Sequence, residues 1–326
     1  MNTASERAAT QRAAPGAKVS VIIPVYGRAQ KLARAIRSVE AQVDVDVEIV
    51  VVDDASPDRV AVEAVAVGAV RLLRMPRNLG PGPARNHGAG HASHDVLAFL
   101  DADDEWLTGS LGRRVELVRP GRCVVGDCLW IHDITGATGL TRVLPDVAGW
   151  LPYDNRIHPS TVVLTKQDFE RLGGFPADRD CAEDWVFGMR ALRAGIEILS
   201  AGIPVTLAHR AADNTTSDNA TMVGHALGAV RLMAAEGLCN PEQLRRARSV
   251  VHARVAGFLA NAGHAGAALR HVGQALRLAT DGRVLRELAR VPVQGGRGVA
   301  RRTRDRAGAQ QRRGRRSRAP LEARDT

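Results

Sequence analysis

The sequence predicts an α/β fold: an open, mostly parallel sheet with flanking helices, followed by a C-terminal helical module and a disordered basic tail. Three observations carry this. Apolar, β-branched runs of strand length recur without polar alternation, as in strands buried on both faces of a parallel sheet. Stretches with helical spacing separate them, and the second and fourth runs end in carboxylates.

In order, VSVIIPVY from Val19 is the first strand, and Arg28 to Val39 is a helix with Leu32, Ala35, Ile36 and Val39 on one face. VEIVVVDDAS is the second strand. Ser56-Pro57-Asp58 then signals a helix start, with Ser56 as N-cap and Pro57 in the first turn, running to about Val67. VRLLRM is a short strand, NLGPGP a loop, ARNHGAGHAS a small-residue helix and DVLAFLDADDEW another strand. This rhythm implies right-handed βαβ crossovers. Beyond Trp106, CVVGDCLWIHD reads as a strand pair, and HPSTVVLTKQDFERLGGF as a strand, a short helix and a glycine stop. AEDWVFGMRALRAG is helical, with Trp185, Met189 and Leu192 on one side and Gly195 past its end. From Thr221 to Val291 the pattern is helical throughout, three or four helices, with Pro241 in a first turn. The expected organisation is a leader (1–17), an α/β domain (18–220), a helical module (221–291) and an Arg-rich tail (292–326).

The 326 residues are 45% hydrophobic and 25% charged, a globular composition. The net charge of +10 invites a nucleic-acid or membrane reading until its location is considered. Residues 297–326 hold eleven arginines against Asp305, Glu322 and Asp325, net +8, which leaves +2 for the rest. The body is nearly neutral and only 3% aromatic, which argues against nucleic acid as its partner. The tail would favour peripheral contact with an anionic bilayer. No run approaches the roughly 18 apolar residues of a membrane span, and the N-terminus lacks a secretory apolar segment. Cys123, Cys128, Cys181 and Cys239 show neither CxxC pairing nor zinc spacing, so a reducing cytoplasm is the expected setting.

Ligands of open parallel sheets bind outside the carboxyl ends of the strands, so Asp53-Asp54 and Asp101-Ala102-Asp103-Asp104 are expected at one crevice. So many carboxylates repel one another unless a cation sits among them, and hard oxygen ligands suit Mg²⁺ or Mn²⁺. In extended backbone Asp101 and Asp103 point to the same side. Gly88 to Ser93 echo a dinucleotide fingerprint but follow a helix instead of the first strand, which argues against a nicotinamide enzyme.

The ordered combination VSVIIPVYGR, EIVVVDDASPD, RNLGPGPARNHG, LAFLDADDEW and AEDW, from about Val19 to Arg193, resembles family 2 glycosyltransferases of the GT-A fold. The resemblance implies a nucleotide-diphospho-sugar donor, with a UDP-sugar favoured, a divalent metal, and transfer with inversion to a carbohydrate, lipid-linked or small-molecule acceptor. It places Pro24 and Tyr26 beside the nucleoside, Asp54 on the base and Asp53 in support of the loop. Arg85 and Asn86 would line the diphosphate side, or Arg85 would be a helix-surface arginine. Asp101 and Asp103 match the DxD motif, with Asp104 a further metal candidate. Asp184 is the implied general base and Glu183 its helper. His209 would lie near the diphosphate or metal, or in an exposed loop; His158 is a weaker candidate. Trp106 and Trp185 could stack on a sugar, with core packing the default.

Two rivals remain on sequence grounds. A sugar-nucleotidyltransferase would carry a Gly-rich basic loop after the first strand, where VYGRAQKLARA lacks the glycines. An inactive scaffold binding acidic surfaces through its tail is the reading from another class.

Overall fold

The apolar run that opens the folded chain becomes the centre of a sheet because it can bury both faces. In a computed structural model that describes residues 16–279, apart from 67, 211–218 and 262, β1 (Ala17–Val25) is buried from Val19 onward. It pairs in parallel with β2 (Val45–Asp53) on one side and β4 (Val96–Phe99) on the other, and β3 (Val70–Arg74) continues the parallel set beyond β2. Residues 1–15 of the expected leader, the end of the helical stretch (280–291) and the tail (292–326) lie outside the described residues.

Past β4 the mostly parallel sheet takes in antiparallel strands. β4 is followed in space by the antiparallel β8 (Val163–Thr165), then β6 (Arg122–His132), antiparallel to β8. Next come β9 (Glu197–Arg210), parallel to β6, and the two-residue β5 (Glu105–Trp106), antiparallel to β9; β7 (Thr138–Thr141) pairs with β6 alone. A parallel neighbour needs a crossover connection, whereas antiparallel strands can join through short returns. CVVGDCLWIHD is therefore one strand, not a pair; its register shifts near Gly126, where an added Cβ would lie 2.6 Å from Val205. The 14-residue β9 has no counterpart in the sequence reading, because Gly202 (φ 72°) and Pro204 break its alternation.

The first helix, α1 (Ala29–Glu40), buries the expected Leu32, Ala35, Ile36 and Val39. In α2 (Arg59–Val65) the cap is Asp58, which accepts from the Ala61 amide, instead of Ser56. Ser56 is drawn inward, where its Oγ accepts from the Gly27 amide at 2.7 Å. The expected NLGPGP loop supplies the first turn of α3 (Pro81–His91), since proline's fixed φ suits that position. Gly88 shows why this helix has small residues: an added Cβ would meet Ile22 at 2.6 Å and Val52 at 2.9 Å.

Short helices α4 (Ser110–Val115), α5 (Val147–Trp150) and α6 (Lys166–Arg171) lead to α7 (Glu183–Arg193). The helical stretch forms α8 (Asn219–Ala235), α9 (Pro241–Asn261) and α10 (Ala265–Leu278). No described helix is long and apolar enough to cross a membrane. The boundary expected at residue 220 falls inside α8. Met233, Val250 and Val251 share one buried cluster with Trp185, Phe187 and Phe99, so these helices extend the α/β core. Arg190 of α7 binds Glu236 through two hydrogen bonds of 2.8 and 2.6 Å across that junction.

Candidate functional site

The carboxyl ends of β1, β2 and β4 and the N-termini of α3 and α7 open onto one cleft of about 810 Å³. It is walled on the far side by α8 and α9. Among its lining residues are Pro24, Tyr26, Asp54, Arg85, Asp101, Asp103, Asp104, His158, Glu183, Asp184 and His209. Asp53 and Asn86 lie behind it.

The acids after β4 fan out in three directions. Asp101 pairs with Arg85, and its backbone amide donates to Ser160 Oγ at 3.0 Å. Burial opposes its charge, but Arg85 and His158 outweigh that and hold it below the usual carboxylate range. Asp103 turns to Arg28, whose Nη1 donates to its Oδ2 at 2.8 Å, yet burial and the Asp101 charge still push its carboxyl up. Arg28 adopts φ 59°, just after Gly27 at φ 65°. A left-handed non-glycine residue costs about 1–2 kcal/mol. Asp104 points inward; it accepts from Ser160 Oγ at 2.6 Å, and burial together with Asp101 and Asp103 raises its carboxyl well above the ordinary value.

Asp101, Asp104 and His158 bring three ligand atoms within 4.8 Å of one another. The expected metal set was Asp101, Asp103, Asp104 and His209. Asp103 is instead held by Arg28, and His209 lies on β9, its ring 2.8 Å from Glu105 and 3.0 Å from Asp133. His158, the weaker sequence candidate, is the imidazole beside the acids: its Nδ1 lies 3.6 Å from Asp104 Oδ2. Two carboxylates and one imidazole suit Mn²⁺, and a cation would relieve the repulsion from Asp101 and Asp103 that, with burial, raises the Asp104 carboxyl.

Arg85 joins the two acidic regions. Its side chain is 2% exposed, and it spans from Asp101 to Glu183, where Nη1 donates to Oε1 at 2.9 Å, while it packs over the Phe175 ring. It is not a helix-surface arginine: it and both of its carboxylate partners line the cleft. Those two anions raise its pKa despite burial.

Adjacent Glu183 and Asp184 start α7, where the helix dipole favours anions. Glu183 is matched by Arg85. Asp184 is in no ion pair among the described residues; burial and the Glu183 charge raise its carboxyl to about 6, against hydrogen bonds from the Asn155 side chain and the Trp185 amide and the charge of His158. Two neighbouring acids thus differ in role through their surroundings.

Asp53 binds the Ser56 amide at 2.8 Å and pairs with Arg74. Asp54 accepts from the Leu79 and Gly80 amides at 2.9 and 2.7 Å, which ties β2 to the start of α3; burial still raises its carboxyl. Asn86 bonds both backbone groups of Phe175 and is a structural bridge, not a cleft residue. Tyr26 is 50% exposed at the rim. Trp106 and Trp185 are core residues, their indole N–H groups donating to the Ser160 and Leu151 carbonyls.

The sequence reading passed over Arg28, Asn155 and Ser160. It also passed over Arg114, fully buried against Trp106, which holds the Ser160 and Thr161 carbonyls. Burial lowers its pKa to about 9. No motif marks them.

Residues 20–160 match the family described as Glycosyl transferase family 2. The succinoglycan biosynthesis protein ExoW of Rhizobium meliloti is 37% identical over 199 residues, 52% of this chain and 62% of ExoW. A GalNAc(5)-diNAcBac-PP-undecaprenol beta-1,3-glucosyltransferase of Campylobacter jejuni is 36% identical over 118 residues, 34% of this chain and 38% of that protein. The matches to curated relatives thus span between 29% and 62% of those relatives' length among ExoO, ExoW and the Campylobacter protein. Among solved structures, S. aureus TarS 1–349 in complex with UDP-GlcNAc aligns with a TM-score of 0.55 at 17% identity, covering 82% of each chain. Mannosyltransferase PcManGT from Pyrobaculum calidifontis, in complex with GDP-Man and Mn²⁺, aligns with a TM-score of 0.52 at 22% identity, over 87% of this chain and 84% of that one. At these identities the likeness is one of fold, and the fold is of the GT-A type.

Proposed function

We propose that this chain, which belongs to glycosyl transferase family 2 through residues 20–160, transfers a sugar from a nucleotide-diphospho-sugar to an acceptor hydroxyl with inversion. The observation that carries this reading is the placement, in one cleft, of a three-ligand acidic and imidazole cluster on one side and an uncompensated carboxylate, Asp184, on the other.

The donor lies over the strand ends, its nucleoside between Pro24, Tyr26 and Asp54, with UDP favoured as the nucleotide. Asp101, Asp104 and His158 would hold a divalent metal, Mn²⁺ by the character of the donor set, whose chemistry when bound is to neutralise charge on the diphosphate. Asp184 takes the proton of the acceptor hydroxyl as its oxygen attacks the anomeric carbon, and the bond to the diphosphate breaks on the opposite face. A carboxyl titrating near 6 is ionised at pH 7 yet basic enough to accept that proton. Asn155 orients it. Arg85 neutralises Glu183, so the helper carboxylate adds less to the repulsion at the base. One unpaired carboxylate on the acceptor side supports direct displacement without a covalent intermediate.

The test is a thermal-shift screen of UDP-, GDP- and dTDP-sugars with and without Mn²⁺, since a ligand stabilises the fold with the logarithm of its concentration over Kd. A Mn²⁺-dependent shift for one nucleotide class, with slow hydrolysis of that donor, is expected. No shift for any of them overturns the donor assignment.

A further inference from the structure

The arginines that line the cleft are mostly engaged by the protein itself. Arg28, Arg85, Arg156 and Arg254 each meet a carboxylate, and Arg179 donates to the Asn78 carbonyl at 3.1 Å. Arg210, the last residue of β9, differs. Among the described residues its guanidinium takes part in no hydrogen bond or ion pair, and it rests 4.3 Å over the Trp130 ring. An arginine carries five N–H donors in a planar fork and stays charged at any ordinary pH. Those donors are available at the cleft wall.

The surroundings fix where Arg210 sits. His209 lies between Glu105 at 2.8 Å and Asp133 at 3.0 Å, and the Asp133 amide donates to the Arg210 carbonyl at 3.2 Å. Trp130 has a seat of its own: a Cβ added at Gly139, its neighbour across β6 and β7, would clash with the indole. Two observations then put Arg210 beside the acids after β4. The His209 amide donates to the Asp104 carboxylate, and Arg210 is the next residue, about 3.8 Å along the backbone. The Cys128 thiol is pushed up to about 12 by burial, Asp104 and Asp101, against the opposing charge of Arg210, so all three charges act at one sulfur.

We propose that Arg210, seated on Trp130, binds the diphosphate of the donor and stabilises it as a leaving group. This rests on the glycosyltransferase reading of the cleft and adds a residue to its machinery. As the acceptor oxygen bonds to the anomeric carbon, its proton passes to Asp184. The bond from that carbon to the diphosphate breaks, and its electron pair stays on the β-phosphate oxygen. Negative charge therefore grows at the phosphate, where a guanidinium fork can place two parallel N–H donors. The Trp130 ring holds the fork in one plane without supplying an anion that would compete for it.

The test titrates UDP, GDP and dTDP, and the nucleoside of each, into the full chain, with Mn²⁺ and again in EDTA. Arg210→Gln should weaken the nucleoside diphosphate that binds the parent about tenfold or more, the loss of a charge-assisted contact, and leave its nucleoside unchanged. Arg210→Lys should recover part of that loss, because it keeps the charge without the fork. Trp130→Leu should weaken the same ligand by a smaller factor. In transfer assays Arg210→Gln should lower kcat more than it raises the donor KM, since the contact strengthens as the diphosphate departs. Nucleoside affinity, measured on every variant, shows whether the fold is intact. An equal loss for nucleoside and diphosphate would mean that Arg210 only braces β9, and it overturns the proposal. So does a loss that appears only with Mn²⁺. A parent that binds none of the three diphosphates refutes the donor reading, and this assignment falls with it. A parent that binds one of them, with affinity and kcat untouched by Arg210→Gln, refutes the assignment alone.

Discussion

Asp53-Asp54 at the end of β2 and Glu183-Asp184 at the start of α7 are both adjacent carboxylates at element termini, and they spend their charge differently. In the first pair both groups accept from the protein's own donors, Asp53 from Arg74 and the Ser56 amide and Asp54 from the Leu79 and Gly80 amides, although Asp54 still lines the cleft. In the second pair only Glu183 meets a cation, Arg85, and Asp184 keeps an uncompensated carboxyl raised to about 6. Two acids side by side therefore say little about chemistry. The donors that surround each one decide how much of its charge remains for a substrate.

The largest test of this contrast is Asp184→Asn. Removing a general base costs about 10²–10⁴ in rate, so transfer should fall by that factor while UDP affinity holds. A loss below tenfold would falsify the assignment. The same variant has a stability signature. The folded carboxyl titrates near 6 and the unfolded one near 3.8, so the native state is favoured by protonation, and this contribution fades as pH rises through 6. Asp184→Asn should therefore melt above the parent at pH 8, with the gap closing toward pH 4.

Next in size is Arg85→Met. It leaves Asp101 and Glu183 without their shared cation, and breaking a buried pair in this way costs about 3 kcal/mol, readable by urea denaturation. Unpaired, Glu183 also pushes Asp184 further up, so the acid limb of kcat/KM should move to higher pH. Asp54→Ala gives up two amide bonds at the start of α3 and should cost about 1–3 kcal/mol in the same titration. A stability indistinguishable from the parent would mean that those bonds are dispensable and the loop is braced elsewhere. The smallest effect is expected from Glu183→Gln. With the like charge gone, the acid limb of kcat/KM should shift to lower pH from its position near 6, and a shift in the opposite direction would show that the Glu183 charge is not what raises Asp184.

The first hundred residues were largely legible in sequence. β1 and β2 are long enough and apolar enough to be buried on both faces, and α1 shows its core stripe at helical spacing, so local pattern and tertiary environment agree there. The later half was less so. β9 is interrupted by Gly202 and Pro204 and went unannounced, and Gly126-Asp127 at the register shift of β6 made one strand read as a pair. The same division runs through the site. Asp101, Asp104, Glu183 and Asp184 were found because acids cluster visibly at element ends. His158, Asn155 and Arg28 were not given their places, because each is a single ordinary residue brought to the cleft by a turn.

By itself, the sequence determined where the sheet begins, that acids crowd its carboxyl edge, and that the basic excess lies in residues 297–326. These follow from periodicity and composition, which act over a few neighbouring residues. Which acid receives a cation was settled only in three dimensions. Arg85 reaches Glu183, 98 residues away, and Arg254 reaches Asp154, 100 residues away. Charge compensation depends on distances of a few ångströms between chain segments, and no local pattern carries that information.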